Sequence, residues 1–496
     1  MAILEEPIKE VLELENYIDG EWVKSKSKEV LDVVNPATQK VLARVPMSTK
    51  EEVNTAIESA KEAFPEWRQT TPLARVRCLF RLKELMENNF EELSRVQTVE
   101  HGKTIDESRG ETRRGIEMVE VGTGIPSLMM GQNLEDIATA IDEFLIYQPL
   151  GVFTHIAPFN FPFMVPLWFS PFALATGNTF VIKPSPRDPI SQVKLAEFME
   201  EAGFPPGVYN MVHGHSDAAQ VLMTHPDVKG VTFVGSTTVG KEIFKTCGDH
   251  LKRSIVQTSA KNFLVVFPDA DQKATIAALM TSFFGNTGQR CLSGANLVIV
   301  GDDDSFYRNF RDKFLDATTK IRVGYGLDES IQMGPMQSVD GIERVNRYID
   351  IGIKEGAKLV LDGRKPAIIG DYPETCFINA SVFEEVTPDM AIAKEEIFGP
   401  VANIIRARDL DETINMINNS NYGNAASIFT ASGKLAREFR YNVECGNIGV
   451  NIGVVAPMAF FPFSGMKDSF YGVLHGQGGD AVRFFTDSKV VVERWF

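Results

Sequence analysis

One cysteine of this chain has neighbours that favour nucleophilic chemistry. The tetrapeptide Gly288-Gln289-Arg290-Cys291 places an arginine directly before the cysteine, and a stretch of small residues precedes it from Gly285 onward. Small residues allow a backbone and a substrate to approach closely. A neighbouring cation favours the thiolate, which is the nucleophilic form of the side chain. The pattern therefore indicates a nucleophilic Cys291, although a lone cysteine is more often a small buried hydrophobe.

Two polar residues follow stretches that are typical of buried strands. Asn160 lies in Phe159-Asn160-Phe161-Pro162, shortly after Val152–Ile156, and Lys183 ends the stretch Thr179–Lys183. Ligands of parallel α/β sheets bind at the carboxyl ends of the strands. The Asn160 amide could donate there to a developing oxyanion, and Lys183 could hold a ribose or a phosphate. The alternatives are a turn asparagine and a lysine that reaches into solvent.

Two further motifs could serve a nucleotide. Gly235-Ser236-Thr237-Thr238-Val239-Gly240 is typical of a strand-to-helix turn, and amides at a helix N-terminus bind pyrophosphate. Glu396-Ile397-Phe398-Gly399-Pro400 offers a carboxylate for ribose hydroxyls and a ring that could pack on a nicotinamide. The first motif is not GxGxxG, and the second could be only a helix end before Gly-Pro. No cluster of histidines has the spacing of a metal site. His213 and His215 are separated by a single glycine, and a loop turn is the better interpretation.

The elements that must position these residues alternate between strands and helices. Short strands are predicted over residues 17–46, with a hairpin turn at Asp19-Gly20. A helical pattern begins at Ser48-Thr49-Lys50-Glu51, which resembles a capping box, and continues to about Leu128. A single apolar helix is expected over residues 165–175. From Phe144 onward, strands and helices alternate as βαβ units, which predicts an α/β fold with parallel sheets.

Composition narrows the class of protein. The 496 residues are 44% hydrophobic and 23% charged, so large cores are expected. The net charge of −16 argues against a nucleic-acid partner or an anionic membrane surface. Five scattered cysteines without a CxxC pair predict neither a disulfide framework nor a zinc site, and they favour a reducing compartment. The acidic N-terminus lacks the features of a signal peptide, so a soluble cytoplasmic protein is expected.

Together, the motifs resemble the NAD(P)-dependent aldehyde dehydrogenase superfamily. Those around Asn160, Lys183, Ser236, Cys291 and Glu396 occur in that family's order, followed by Pro462-Phe463-Ser464-Gly465. The resemblance extends from Tyr17 to Val490. Within the superfamily the chain is most similar to the methylmalonate-semialdehyde dehydrogenases, through the segments at residues 114–120, 260–262 and 463–470.

The resemblance implies a role for each matching residue. Cys291 would form a thiohemiacetal with the aldehyde and, after hydride transfer, a thioester; the Asn160 side chain and the Cys291 amide would form the oxyanion hole. Arg114 and Arg290 match the two arginines that bind the substrate carboxylate in the semialdehyde enzymes. If the arginines do not bind the substrate, Arg290 would support the loop or lower the pKa of Cys291. Arg114 would then form an ion pair on the surface of its helix. The cofactor would be held by Ala157, Phe159, Lys183, Arg187, Gly235, Ser236, Thr258, Glu396 and Phe398.

The chain departs from the hydrolytic family members where water would be activated. Those enzymes place a glutamate four residues before the lysine that matches Lys261, and this chain has Gln257 there. An amide cannot act as a general base at neutral pH. The stretch His475-Gly476-Gln477-Gly478 also lacks the acid that many members carry. Because a thiol ionises readily, coenzyme A is the expected acyl acceptor.

Two other departures concern the cofactor and the substrate. Pro186 stands where the subfamily usually has an acid near the adenosine ribose, and Arg187 could accommodate a 2′-phosphate. The missing acid weakens the case for strict use of NAD; NAD is still the expected cofactor by analogy with the family, with NADP as an alternative. Thr258-Ser259 replaces the glycine or alanine of relatives near the nicotinamide. Malonate semialdehyde or a sulfonated aldehyde would also be compatible with the two arginines.

Two other functions stay as alternatives. A hydrolytic aldehyde dehydrogenase would need another group, such as His475, to activate water. A catalytically inactive member with a structural role is possible because fold alone does not fix function. Such a protein would have no reason to retain Cys291, Asn160, Lys183 and Glu396 together.

The resemblance also implies an architecture of three parts. A doubly wound NAD(P)-binding domain would comprise residues 1–130 and 150–260, and an α/β catalytic domain residues 261–475. Residues 131–149 and 476–496 would form a small β element that joins subunits into a homodimer or homotetramer. The apolar C-terminal stretch from Lys489 would be an exposed edge unless paired, although it could simply complete a sheet of its own domain.

Overall fold

Two large β-sheets carry the residues with potential chemistry. The structure is a computed structural model, and it describes residues 3–496. The first sheet has eight strands, in the spatial order Phe470–Tyr471, Arg253–Gln257, Val228–Val234, Val152–Ile156, Thr179–Lys183, Tyr209–Met211, Asn16–Ile18 and Glu21–Val23. The strands from Arg253–Gln257 to Tyr209–Met211 are parallel, which agrees with the predicted βαβ units.

The second large sheet comes from the later half of the chain. Its seven strands lie in the order Lys358–Leu361, Ser381–Glu384, Val401–Ala407, Gly294–Val300, Asn262–Val266, Ala425–Phe429 and Asn447–Val450. The edge strand Lys358–Leu361 is antiparallel to its neighbour, and the other strands are parallel. The predicted α/β class is confirmed.

Helices and small sheets surround these two sheets. The α-helices are Lys50–Gln69, Pro72–Asn88, Phe90–His101, Ile105–Thr123, Ile125–Leu128, Met164–Leu167, Ser170–Thr176, Ile190–Glu201, Ser216–Thr224, Thr237–Asp249, Gln272–Phe284, Asp304–Thr319, Val339–Lys354, Ala391–Lys394, Leu410–Asn418, Gly433–Asn442 and Gly478–Phe485. One further sheet contains Leu12–Glu13, Val41–Pro46 and Val30–Val34, and two strand pairs join Val323–Gly324 to Ile368–Ile369 and Tyr422–Gly423 to Met466–Lys467. Within residues 3–496, no helix is long and apolar enough to cross a membrane.

The predicted hairpin and the predicted capping box have different outcomes. The hairpin at Asp19-Gly20 is confirmed, because both residues have positive φ angles, 56° and 79°, between two antiparallel strands. The capping box lies one residue later than predicted. Thr49 and Glu52 exchange the two capping hydrogen bonds, whereas the Ser48 hydroxyl bonds to the Asn16 side chain.

The predicted helix over residues 165–175 is two short helices, so this prediction is wrong in detail. Met164–Leu167 ends before Trp168, and Ser170–Thr176 begins with Pro171 in its first turn. Proline fits a first turn because its missing N–H would be unpaired there in any case. The break matters for the site, because the first of these helices directly follows the loop that carries Asn160.

The C-terminal stretch forms the strand that its apolar pattern predicts. Strand Thr486–Arg494 pairs antiparallel with Ile141–Pro149, which also pairs with Gln132–Ala138. This three-stranded sheet coincides with most of the predicted oligomerisation element. Phe470–Tyr471, from the later half of the chain, adds an edge strand to the first large sheet, and the predicted domain limits stay a prediction. Val490 and Val492 of the small sheet are exposed in the single chain.

Candidate active site

The structure brings Asn160 and Cys291 together from different parts of the chain. Asn160 lies in the loop after strand Val152–Ile156 and is buried. Its amide nitrogen donates to the backbone oxygen of Gln289 at 2.9 Å. The carboxyl end of this parallel strand is therefore where the asparagine meets the cysteine loop, as predicted.

The loop before Cys291 has a backbone that only particular residues tolerate. Residues Gly285–Gly288 form a short turn in which Asn286 and Thr287 have φ angles of 53° and 52°. Gly288 has a φ of 71°, and a Cβ atom there would lie 2.3 Å from the backbone of Gly399. The predicted close approach of small residues is thus found at Gly288. Left-handed backbone at residues other than glycine is typical of functional loops.

The Cys291 thiol is held in its protonated form. Burial raises its pKa to about 11, and the Glu396 carboxylate adds to the rise. The backbone amide of Cys291 and the side chain of Asn160 oppose it through hydrogen bonds to the thiol. These are the two donors predicted for the oxyanion hole, and each of them favours the thiolate.

The predicted effect of Arg290 on the thiol is wrong. Its guanidinium donates to the Glu107 carboxylate at 3.2 Å, so its charge is largely neutralised. Glu107 also accepts the backbone N–H of Asn286. Arg290 and Glu107 therefore support the cysteine loop, which was one of the alternatives for this arginine.

Two asparagine side chains fix the peptide of Cys291 from the opposite direction. The amide nitrogens of Asn262 and Asn424 donate to the Cys291 backbone oxygen at 2.7 and 2.8 Å. Asn262 begins a strand of the second sheet, and Asn424 directly precedes another. The nucleophile is thus anchored to the second sheet, while its oxyanion donor comes from the first. Sequence reasoning gave neither asparagine this role, although Asn262 lies in the segment 260–262 that supports the family resemblance.

A cavity of about 390 Å³ opens in front of Cys291, and both Arg114 and Arg290 line it. Apolar walls come from Met118, Phe161, Met164, Trp168, Leu292, Val454 and Phe463. Arg114 donates to the Glu117 carboxylate at 2.9 Å and to the backbone oxygens of Ala456 and Pro457 at 3.1 and 2.8 Å. Each arginine that lines the cavity thus already donates some of its hydrogen bonds to protein groups. A substrate carboxylate would replace some of these protein acceptors.

Lys183 and Ala157 join two strand ends at the predicted cofactor edge. The amide of Ala157 donates to the backbone oxygen of Lys183 at 3.0 Å. The Lys183 ammonium is buried and donates to the backbone oxygens of Pro184 and Gly214, both at 3.0 Å. Burial lowers the pKa of Lys183 to about 8. The alternative in which this lysine extends into solvent is therefore wrong.

The glycine-rich turn begins a helix whose first amide, that of Thr237, already donates to the Ser259 hydroxyl at 3.2 Å. Ser236 is the N-cap of helix Thr237–Asp249, and its hydroxyl makes no capping hydrogen bond. A Cβ atom at Gly235 would lie 2.4 Å from the Phe233 ring, so the turn requires glycine there. The Thr258 hydroxyl donates to the backbone oxygen of Asp468 at 2.6 Å. Thr258 therefore holds a neighbouring loop with its side chain, while Ser236 leaves its own hydroxyl available.

Glu396 and the two predicted phenylalanines lie on the far side of Cys291. The buried Glu396 carboxylate accepts the amide of Ala260 at 2.8 Å, and burial raises its pKa. Phe398 has a φ of 60° and packs edge-on against Phe159 with ring centroids 5.9 Å apart. The Arg187 guanidinium lies over Phe159 at 5.7 Å. Phe159 thus joins Phe398 of one predicted cofactor motif to Arg187 of another.

The groups considered for water activation are committed elsewhere. The Gln257 amide is buried and donates to the backbone oxygen of Phe463 at 2.6 Å. His475 bonds to the Asp480 carboxylate at 3.3 Å and stacks on Phe470 with centroids 4.1 Å apart. His475 is not among the residues that line the cavity of Cys291. Within residues 3–496, no group of His, Cys, Asp and Glu side chains could hold a metal ion.

Comparison with known proteins covers almost the whole chain. Residues 22–491 match the model of the aldehyde dehydrogenase family. The chain is 47% identical over 482 residues to malonate-semialdehyde dehydrogenase 2 of Geobacillus kaustophilus, which covers 97% of this chain and 99% of that protein. It is 45% identical over 487 residues to malonate-semialdehyde dehydrogenase of Bacillus velezensis, with 98% of both chains covered.

Solved structures agree with this match. Methylmalonate-semialdehyde dehydrogenase from Oceanimonas doudoroffii superimposes with a TM-score of 0.95 at 38% identity, with 98% of both chains covered. A protein from Sinorhizobium meliloti, solved as a complex with NAD, also gives a TM-score of 0.95 at 38% identity and covers 98% of this chain and 99% of its own.

Proposed function

Since the chain belongs to the aldehyde dehydrogenase family, we propose that it is an acylating semialdehyde dehydrogenase. It oxidises a small anionic aldehyde such as malonate or methylmalonate semialdehyde with NAD. The acyl group is held as a thioester on Cys291 and passes to coenzyme A. The observation that carries the proposal is the single cavity lined by Cys291, Arg114 and Arg290. The semialdehyde enzymes to which the chain is similar support the same substrate class.

The residues present fit a dinucleotide. Ser236 and the amides that follow Thr237 in the first turn of helix Thr237–Asp249 offer donors for a pyrophosphate. The Glu396 carboxylate offers an acceptor for ribose hydroxyls, and Phe398 a ring for the nicotinamide. When bound, NAD supplies the ring that accepts the hydride. Arg187 favours NAD over NADP, because its guanidinium already donates to Asp340 at 3.0 Å and a 2′-phosphate would meet that carboxylate.

The residues around the thiol account for acylation. The Cys291 sulfur bonds to the aldehyde carbon, and the thiol proton passes to solvent water in the cavity as the carbon–oxygen double bond opens; burial raises the pKa of this thiol to about 11. The aldehyde oxygen becomes negative and would accept hydrogen bonds from the Asn160 amide and the Cys291 backbone amide. Donors that are in place before the reaction begins stabilise the developing charge without any reorganisation of the site.

The chain's own groups favour a thiol over water as the acceptor. Gln257 cannot remove a proton, and its amide is fixed on the Phe463 carbonyl. His475 is bonded to Asp480 away from the cavity. A thiolate attacks a thioester without help from a strong base. The carboxylates that line the cavity, Asp106, Glu107 and Glu111, are each paired with a cation, so none is a free base for the hydrolytic alternative.

A burst experiment tests the oxidative half of the proposal. Enzyme at known concentration is mixed with NAD and each of three aldehydes: malonate semialdehyde, methylmalonate semialdehyde and the uncharged propanal. The proposal predicts a burst of one reduced cofactor per Cys291 with the anionic aldehydes, and none in Cys291→Ala. Equal reaction with propanal, or a burst that survives in Cys291→Ala, would contradict it. Replacing NAD by NADP tests the cofactor preference in the same assay.

A further inference from the structure

Lys103 and Glu111 form an ion pair that is completely enclosed. Their charged groups are 2.5 Å apart, and both side chains are 0% exposed. Among the ion pairs of residues 3–496, no other has both side chains so deeply buried. Lys103 follows Gly102, which ends helix Phe90–His101 with a φ of 97°, and Glu111 lies in helix Ile105–Thr123. Helical spacing alone does not explain this pair, because the residues are eight positions apart.

The two charges hold opposite ends of the loop that carries Asn160. The Lys103 ammonium donates to the backbone oxygen of Asn160 at 2.7 Å. One oxygen of Glu111 accepts the backbone amides of Phe163 and Met164 at 3.0 and 3.1 Å. The same ammonium lies 4.3 Å from the centre of the Phe161 ring. Every residue from 160 to 164 except Pro162 is thus contacted by one member of the pair.

Stability alone gives little reason for such a pair. Burying two charges costs desolvation free energy, and well-packed apolar residues of similar volume are often as stable or more stable. An apolar pair cannot donate to the Asn160 carbonyl or accept two loop amides. Buried backbone groups of this kind need partners, and here the ion pair supplies them.

We propose that Lys103 and Glu111 are positioning residues that fix the oxyanion donor. By clamping the loop from both ends, they hold the Asn160 amide beside the Cys291 sulfur. The role rests on the proposed function, because an oxyanion forms only if Cys291 attacks a carbonyl group. It does not depend on which aldehyde is used or on which acceptor takes the acyl group.

The test separates positioning from stability. In Lys103→Met and Glu111→Leu one partner is removed, and both variants should melt at lower temperature because the other charge is left buried. The double variant Lys103→Met/Glu111→Leu should melt above either single variant, because no unpaired charge remains, and below the wild type, because the loop amides lose their acceptor. Its burst rate should nevertheless fall by about 100-fold, the usual effect of losing one oxyanion donor. The KM for NAD should not change. A double variant with the wild-type burst rate would overturn the proposal.

Asn160→Ala shows whether the pair acts through the asparagine. Adding the double substitution to Asn160→Ala should lower the burst rate by less than about threefold, because the donor that the pair positions is already absent. Full additivity of the two losses would overturn the proposal. The matched control is Lys194→Met/Glu197→Leu, which removes a lysine–glutamate pair of 3.0 Å that is partly exposed. This control should leave the burst rate unchanged.

Hydrogen exchange of the loop amides tests the positioning role without any aldehyde. The amides of residues 163 and 164 should exchange at least tenfold faster in Glu111→Leu, which has no acceptor for them, than in the wild-type protein. Exchange in helix Thr237–Asp249 should be the same in both. Unchanged exchange at residues 163 and 164 in this variant would overturn the proposal. If the wild-type protein gives no burst with any aldehyde, the proposed function fails, while the exchange result still decides whether the pair holds the loop.

Discussion

At the scale of single residues, the surroundings of Cys291 favour the thiol. A cysteine in an electropositive setting would react with alkylating agents already at neutral pH. Here burial and the Glu396 carboxylate raise the thiol pKa to about 11, and Arg290 is neutralised by Glu107. The resting enzyme should therefore resist alkylation, and substrate binding must supply part of the activation.

The raised pKa predicts how alkylation depends on pH. In the absence of cofactor, the rate of inactivation by iodoacetamide should keep rising above pH 9, the ordinary thiol pKa, toward pH 11. The sign follows because the reactive thiolate appears only as the pH approaches the raised pKa. Arg290→Met should give a similar profile, since Glu107 already neutralises this arginine. A plateau below pH 9 would contradict the assignment of a protonated thiol.

Arg114 should affect anionic substrates more than neutral ones. Arg114→Gln removes a charged donor from the cavity, and a hydrogen bond to a charged group contributes about 1.5–3 kcal/mol. The KM for malonate semialdehyde should therefore rise by roughly 10- to 100-fold. The kinetics of propanal, which has no carboxylate, serve as the control and should change little. An equal effect on both aldehydes would show that Arg114 only supports the loop at Ala456 and Pro457.

The position of a single residue in the site could be predicted where the residue lies in a motif. It could not be predicted where a contact with a residue far away in sequence determines its role. Cys291 and Asn160 were predicted to meet, and the structure brings them together. The effect of Arg290 was not predictable, because its partner Glu107 lies far away in sequence. Lys103 and Glu111 carry no sequence signal, since neither helical spacing nor a motif connects them. The catalytic and binding roles assigned to these residues stay predictions.

At the scale of elements, the short turn Gly285–Gly288 sets the direction of the nucleophile. Gly288→Ala should destabilise the protein by about 1–3 kcal/mol, because the added methyl group would lie 2.3 Å from Gly399 and the φ of 71° disfavours alanine. The burst should also be lost. Gly433→Ala is the control, since nothing lies within 4 Å of its Cβ position, and its melting temperature should not fall. Equal melting temperatures for the two variants would contradict this account of the turn.

The positions of helices, strands and turns could be predicted where neighbouring residues in the sequence determine them. The Asp19-Gly20 hairpin and the βαβ strands follow from turn residues and apolar runs, and both are present. The capping box was misplaced by one residue because Ser48 bonds to Asn16 in another strand. The apolar segment over residues 165–175 was expected as one helix, and it is broken at Trp168, where a second helix starts with Pro171 in its first turn.

At the scale of the whole molecule, the small three-stranded sheet has a free edge. Val490 and Val492 are 57% and 62% exposed in the single chain, and apolar strands of this kind usually pair. We expect a homodimer or homotetramer by light scattering. Val490→Asp/Val492→Asp should lower the measured mass, whereas Ile353→Asp, at an exposed apolar position on helix Val339–Lys354, should not. A monomeric wild-type protein would contradict the expected role of this sheet.

The order of strands in the sheets could not be predicted beyond the family resemblance. Phe470–Tyr471 joins the edge of the first sheet across more than two hundred residues, and nothing in its sequence shows its partner. The two halves of the site likewise come from different sheets, with Asn160 on the first and Cys291 fixed to the second. Local patterns predicted each part, while long-range packing determined how the parts meet.

The central claim is that coenzyme A accepts the acyl group from Cys291. Turnover measured with and without coenzyme A tests this claim most directly. Wild-type enzyme, NAD and malonate semialdehyde are mixed, and reduced cofactor and acyl products are followed together. Because Gln257 cannot activate water, the account predicts one burst per Cys291 and no further turnover until coenzyme A is added, when an acyl-coenzyme A product should accumulate. Sustained turnover without coenzyme A, with release of a free acid, would contradict it.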